Sequence, residues 1–205
     1  YFSEIFAQRR REPQDDLISA LVTAEEQGDK LNEAELVSTC TTLLLAGHET
    51  TTCLIANGIL TLLKLPDQLD ELRSNPSLLP SAIDEVLRYE TPLQRGFKLV
   101  AKEAQIRGTK IKKGQMVLQM LGAANRDPAY FPDPDRFDIR RNGTRNFAFG
   151  HGIHFCLGAL LARLEGEIAI RTVIERLPKL RLDTKTVSWA AGTYFRIPVS
   201  APVFF

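Results

Sequence analysis

Apolar residues recur at helical spacing from the first positions to about Tyr89, then give way to short alternating runs. Tyr1 to Arg11 reads as the end of a helix closed by Pro13. Asp15 or Asp16 can cap a second helix, Leu17 to Gln27, in which Leu17, Ile18, Leu21 and Val22 form one apolar stripe and Gly28 marks the end. Asn32, with Glu35 three residues on, predicts a capping box at the head of a long helix. Its apolar and small positions Leu36, Cys40, Leu43, Leu44, Gly47, Leu54, Ile55, Gly58, Ile59 and Leu62 keep helical spacing until Pro66. That run of about 34 residues spans roughly 50 Å. A helix so long, apolar around much of its circumference, suits the middle of a protein larger than this chain.

Two shorter helices follow, at Pro66 to Ser74 and Leu79 to Tyr89. Phe97 to Val100, Gln105 to Arg107, Thr109 to Ile111 and Gln115 to Leu121 read as strands, with Gly108 and Lys113-Gly114 as turns. Asp127 to Phe137, rich in proline and aromatics, reads as irregular coil. A last long helix, Leu157 to Leu177, ends at Pro178, and short strands complete the chain. Helices before strands, without β–α alternation, predict an α+β fold that is mainly α.

Composition narrows the function. The 205 residues carry 26 Lys and Arg against 25 Asp and Glu, so no basic excess points to nucleic acid. Hydrophobic residues make up 44%, enough for a real core. Three cysteines without a C-x-x-C pair argue against a disulfide framework or a zinc ribbon and fit a reducing cytoplasm. The apolar stretch around Leu43 to Leu65 is broken by His48, Glu49 and Lys64, so it does not predict a membrane span. The opening at Tyr1, with no initiator Met, suggests a boundary or a cut.

The densest chemistry lies in Phe149-Gly150-His151-Gly152-Ile153-His154-Phe155-Cys156-Leu157-Gly158. Two glycines permit tight turns and close approach of backbone to a flat ligand. Cys156 stands just before a helix, whose free N–H groups and positive dipole end favour a thiolate. Such a thiolate, framed by Phe149, Phe155 and Leu157, suits an axial haem ligand. A lone cysteine beside an apolar helix is, by contrast, more often a buried packing residue. A dinucleotide loop does not fit, because Phe155 occupies the third glycine position. A zinc cage from His151, His154 and Cys156 lacks a fourth ligand nearby in sequence, and Thr52 stands where a zincin helix needs its second histidine.

Two further patterns lie on helices. Ala46-Gly47-His48-Glu49-Thr50-Thr51 puts glycine, which costs about 1 kcal/mol against alanine, and a backbone-bonding threonine in mid-helix. Together they predict a groove beside the acid–alcohol pair Glu49 and Thr50. Glu85 and Arg88 sit three apart on one helix face, and Arg136, in Pro134-Asp135-Arg136-Phe137, could complete a buried Glu–Arg–Arg network.

In this order and spacing, the three motifs resemble the haem-thiolate monooxygenases of the cytochrome P450 family, and Ala123-Ala124-Asn125-Arg126-Asp127-Pro128 resembles the soluble bacterial branch. The resemblance runs essentially from Tyr1 to Phe205, and family members are about twice as long, which makes the chain a C-terminal half of a single domain. It implies haem b (iron protoporphyrin IX), with Cys156 as the iron ligand and Phe149, Gly150, Gly152, His154 and Gly158 around it, His154 contacting a propionate. It also implies that Ala46, Gly47, Glu49 and Thr50 lie on the distal side, with the last two handling protons. Glu85, Arg88 and Arg136 become a structural triad behind the loop. Lys98 stands where the family often has a propionate-binding arginine; it keeps the charge and loses the bidentate fork. Leu93 to Phe97 and Gly192 to Phe195, including Thr193 and Tyr194, resemble segments that reach the substrate pocket.

The activity implied is insertion of one oxygen atom from O2 into a small organic substrate, with electrons from a ferredoxin-type donor. Arg140, Arg141 and Arg145 offer that donor a basic docking patch. Two alternatives accompany this reading: a fragment inactive alone, with the apolar faces of its long helix uncovered, and a peroxide-driven haem enzyme. The Glu49-Thr50 pair speaks against the latter, since peroxide-driven relatives tend to lose it.

Overall fold

The computed structural model describes residues 1–26, 31–141, 145–183, 187–192 and 194–205. The predicted end of the second helix at Gln27-Gly28, and Thr193, lie outside the described residues. The chain forms two compact units, Tyr1–Glu49 and Thr50–Phe205.

In the first unit, α1 (Phe2–Arg11) and α2 (Leu17–Glu26) enclose a small core with the first half of α3 (Glu33–Lys64). Phe6, Val22, Leu36 and Cys40 are its buried residues. Asp16 is the cap of α2: its Oδ1 accepts from the Ser19 backbone N–H at 2.7 Å and its Oδ2 from Arg9 Nε at 2.6 Å. The Ser19 amide, and then the Arg9 guanidinium, hold the Asp16 carboxyl below the usual carboxylate range. Burial pushes the Cys40 thiol up. The capping box at the head of α3 is reciprocal, Asn32 N–H to Glu35 Oε2 at 2.8 Å and Glu35 N–H to Asn32 Oδ1 at 3.0 Å. Three expected stripe positions face outward instead. Leu17 is exposed at the first turn of α2, and Leu43 and Leu44 are exposed on α3, because no described residue covers those surfaces.

In the second unit, the later half of α3 packs with α4 (Pro66–Ser74), α5 (Leu79–Tyr89) and α7 (Ala159–Arg176). Leu54, Leu62, Ile83, Val86, Leu87 and Ile170 are central to that core. Gly58 makes the approach of α3 to α7 possible: a β-carbon there would stand 2.7 Å from Ile170 Cδ1 and 3.4 Å from Val86 Cγ1. Pro at the start of α4 and α5 ends the preceding segment and presets the helical φ.

Among the described residues the strands form four antiparallel pairs. β1 (Gly96–Leu99) pairs with β4 (Met116–Gln119), and β2 (Ala104–Ile106) with β3 (Thr109–Ile111). Arg107 (φ 45°) and Gly108 (φ 83°), both left-handed, make the β2–β3 connection a type I′ turn. β5 (Arg181–Leu182) pairs with β8 (Val203–Phe204), and β6 (Ser188–Trp189) with β7 (Pro198–Ser200). The predicted strand over 115–121 stops at Gln119, where Leu121–Ala124 turns into the short helix α6. Gly122 donates its N–H to the Gln94 carbonyl there, a contact that leaves a β-carbon only 2.3 Å from the Gln94 side chain. The result is mainly α with small sheets, as the residue pattern predicts. Among the described residues no helix is long and apolar enough to cross a membrane.

Candidate haem-thiolate loop and its support

The loop that carries Cys156 bends at Gly150 (φ 72°) and Gly152 (φ 78°), conformations that a side chain resists. A 3₁₀ turn over Gly152–His154 follows. Two backbone bonds close it: Cys156 N–H to the Phe149 carbonyl and Phe155 N–H to the Gly152 carbonyl, each 3.0 Å. Helix α7 starts at Ala159 with Gly158 as its cap, two residues later than the sequence predicts, so Cys156 stands just outside the first turn. The Cys156 thiol is exposed, whereas Cys40 and Cys53 are buried. Phe149 packs against the core and lies edge-on to Phe155 at 6.3 Å. Gly150 is half-buried, and Gly152, His154 and Gly158 are exposed with Cys156. Apolar side chains around the thiol are also in solvent, Ile153 at 97% and Leu157 at 89% exposure.

The loop is anchored from below. Asn125, fully buried, accepts the Phe147 N–H on its Oδ1 at 2.7 Å, and its backbone carbonyl accepts from Arg88 Nη1 at 3.1 Å. Asn146 donates to the Asp84 carbonyl at 3.2 Å. Arg163, on α7, donates to Asp84 Oδ1 at 2.9 Å and lies over the Phe149 ring at 4.6 Å. None of Asp84, Asn125, Asn146 and Arg163 was singled out as a support residue from sequence. Only Asn125 left a trace, inside the Ala-Ala-Asn-Arg-Asp-Pro segment.

The ion-pair network behind the loop differs from expectation in one member. Arg88 grips Glu85 with both ends, Nε to Oε2 at 2.7 Å and Nη2 to Oε1 at 2.8 Å, and both side chains are buried. Its remaining N–H groups meet the carbonyls of Asn125, Pro134 and Arg136. All five guanidinium donors are thus satisfied. The Arg136 side chain is 70% exposed and reaches only Asp138 at 3.9 Å, so its carbonyl, not its guanidinium, enters the network. Arg141 takes the third place: its side chain is 12% exposed, with Nε 3.2 Å from Glu85 Oε2. Arg141 therefore also leaves the expected docking patch. Arg140 is paired with Glu71, and Arg145 stays exposed.

On α3, Ala46, Gly47 and Glu49 are exposed and Thr50 is half-buried. A β-carbon at Gly47 would meet nothing within 4 Å. Earlier on the same helix, the Thr41 and Thr42 hydroxyls donate to the Val37 and Ser38 carbonyls. Lys98 is exposed on β1. The two segments expected to reach a pocket do meet: Leu93 bridges Phe195, and Gln94 N–H donates to the Tyr194 carbonyl at 2.8 Å. Phe97 and Tyr194 present exposed rings. A cleft of about 380 Å³ lies beside this junction, lined by Gln94, Arg95, Met120, Trp189 and Phe195 among others, and the Cys156 loop does not border it.

The donor set decides what the loop can hold. Among the described residues no group of three His, Cys, Asp or Glu could cage a metal ion. A single exposed sulfur in an apolar frame instead fits a metal whose other ligands arrive with a flat macrocycle. Fold and loop together define an α-rich protein that presents one exposed cysteine on a glycine-bent loop.

Comparison with known proteins agrees. The Cytochrome P450 family model matches residues 1–185. Cytochrome P450 107B1 of Saccharopolyspora erythraea is 54% identical over 183 residues, 89% of this chain and 45% of that protein. The biotin biosynthesis cytochrome P450 of Bacillus subtilis is 50% identical over 205 residues, 100% of this chain and 52% of the relative. A solved structure of P450BioI with an acyl carrier protein ligated to hexadec-9Z-enoic acid superposes with a TM-score of 0.94 at 46% identity, covering 100% of this chain and 52% of that one. The chain belongs to the cytochrome P450 family, which uses haem as its cofactor. It spans about half the length of the curated relatives it matches.

Proposed function

We propose that the protein to which this chain belongs is a haem-thiolate monooxygenase, inserting one oxygen atom of O2 into a small organic substrate while the other leaves as water. The exposed Cys156 on its glycine-bent loop carries this reading. Cys156 holds the haem iron through its thiolate, Gly150 and Gly152 let the backbone approach the ring, and Phe149 and Gly158 complete the frame. His154 and Lys98 hold the propionates. When bound, haem would supply the oxidising chemistry, with the Cys156 thiolate lending it electron density.

By the family resemblance, Ala46 and Gly47 leave room for the reaction, and Glu49 and Thr50 deliver protons. Glu85 and Arg88, with Arg141, stiffen the loop from behind. Leu93, Phe97 and Tyr194 face the substrate. Leu157, Leu160, Leu161, Leu164 and Ile168, all in solvent, and Leu43 to Leu45 on α3 belong to surfaces covered by the part of the relatives that this chain does not span. Taken alone, the 205 residues would expose these faces and associate through them.

Thr50→Ala in the full-length protein tests the proton role. Electrons continue to be consumed while product per electron pair falls by about tenfold or more, with hydrogen peroxide in its place. Unchanged coupling overturns that role. Product formed from added peroxide, with none from a ferredoxin-type donor, would support the peroxide-driven alternative.

The electron donor docks near the Cys156 loop, where Arg145 keeps its charge in solvent. Reduction by a ferredoxin-type donor should slow steeply as salt rises, because the screening length falls from about 10 Å at 0.1 M to about 3 Å at 1 M. Arg145→Glu should slow it by about tenfold at low salt. Salt-independent reduction rates would refute the docking role.

A further inference from the structure

We infer that Asn57 is a positioning residue that ties the two pocket segments to α3 and so sets the shape of the substrate pocket; this inference rests on the haem-thiolate reading above. Asn57 is fully buried. Its Nδ2 donates to two backbone carbonyls far apart in sequence, Arg196 at 3.0 Å and Glu90 at 3.3 Å. Its Oδ1 has no hydrogen-bond partner, so the side chain serves here as a two-pronged donor. A short stem with two N–H groups is what this place requires. A leucine would match the volume and leave both carbonyls unmet in a buried site.

The two segments are already joined to each other. Arg196 N–H donates to the Pro92 carbonyl at 2.9 Å, Gln94 N–H to the Tyr194 carbonyl at 2.8 Å, Leu93 bridges Phe195, and Arg196 Nε pairs with Glu90 Oε2 at 3.1 Å. Asn57 adds something different: it fastens this ribbon to the helix. The clamp grips the ribbon on either side of Leu93 and Tyr194, through Glu90 and Arg196. Asn57 also follows Thr50 by seven positions, which returns to within about 20° of the same helix face, about 10 Å further along. The helix face that bears Thr50 therefore also anchors the pocket walls. A shift of the ribbon against α3 moves Leu93 and Tyr194 relative to Thr50 without touching Cys156.

The test uses the full-length haem-loaded protein and two azole probes that bind the iron, imidazole and the bulkier 4-phenylimidazole, followed by their Soret shifts. Asn57→Leu should raise the Kd of 4-phenylimidazole by about tenfold and change that of imidazole by less than about twofold. Hydrogen exchange of 92–96 and 194–196 should speed up in the same variant. Equal shifts for both azoles, or no shift for either, would overturn the positioning role. Should Asn57→Leu not load haem, Asn57→Ser, which keeps one donor, enters the same titration, with a smaller rise expected for the bulky probe alone. An unsubstituted protein that lacks the thiolate-type carbonyl band defeats the haem-thiolate reading itself, and that failure is separate from any result at Asn57.

Discussion

Replacing Cys156 by alanine in the full-length protein should abolish the long-wavelength Soret band of the reduced carbon monoxide complex and move any remaining absorption to the shorter position of haem held without thiolate. The reason is the donor set. Cys156 is the exposed sulfur of the loop, the other two cysteines are buried in α3, and no described cluster of His, Cys, Asp or Glu offers a replacement cage. His154, two residues away and exposed, is the nearest nitrogen in sequence that could intrude. If it did, the band would appear at the nitrogen-ligated position, still distinct from thiolate. A retained thiolate-type band in Cys156→Ala would remove Cys156 from the iron and take the proposed function with it. The fold should survive the change, because the side chain is in solvent and the loop is held by backbone bonds and by Asn125 and Asn146.

The helices were legible because their ends are chemical. Asn32 with Glu35, Asp16 with Ser19, and Pro at the starts of α4 and α5 act locally, so the sequence alone placed them within a residue or two. The Cys156 loop was legible for a similar reason, since two left-handed glycines and a helix start sit within ten residues. What could not be read is which side chain of an aperiodic segment turns inward. Between Asp127 and Arg141 the chain has no repeating face, and Arg136, Arg140 and Arg141 look alike in sequence. Only the folded path decides that Arg141 meets Glu85, Arg140 meets Glu71, and Arg136 contributes a carbonyl. Asn125 and Asn57 escaped for another reason. Each is a lone amide whose partners are backbone carbonyls or amides dozens of residues away, and backbone partners leave no mark in a sequence.

That same assignment yields a graded series of stabilities at the three arginine positions of the network. Arg88→Ala should cost about 3–5 kcal/mol, because it strips a buried carboxylate of its bidentate partner and removes the Arg88 donors to the Asn125 and Pro134 carbonyls. Arg141→Ala should cost less, about 1.5–3 kcal/mol, since Glu85 then keeps Arg88 and the Asp138 N–H at 2.9 Å. Arg136→Ala should fall within about 0.5 kcal/mol of the parent, because its side chain is in solvent and its contribution is a carbonyl that alanine also provides. Denaturant unfolding of the three full-length variants measures the order directly. If Arg136→Ala proved as damaging as Arg141→Ala, the third member of the network would be Arg136 after all. The series also separates stability from site geometry. Arg88 reaches the loop through the Asn125 carbonyl, and Asn125 Oδ1 holds the Phe147 N–H. Arg88→Ala should therefore lower haem occupancy along with stability, whereas Arg136→Ala should leave both unchanged.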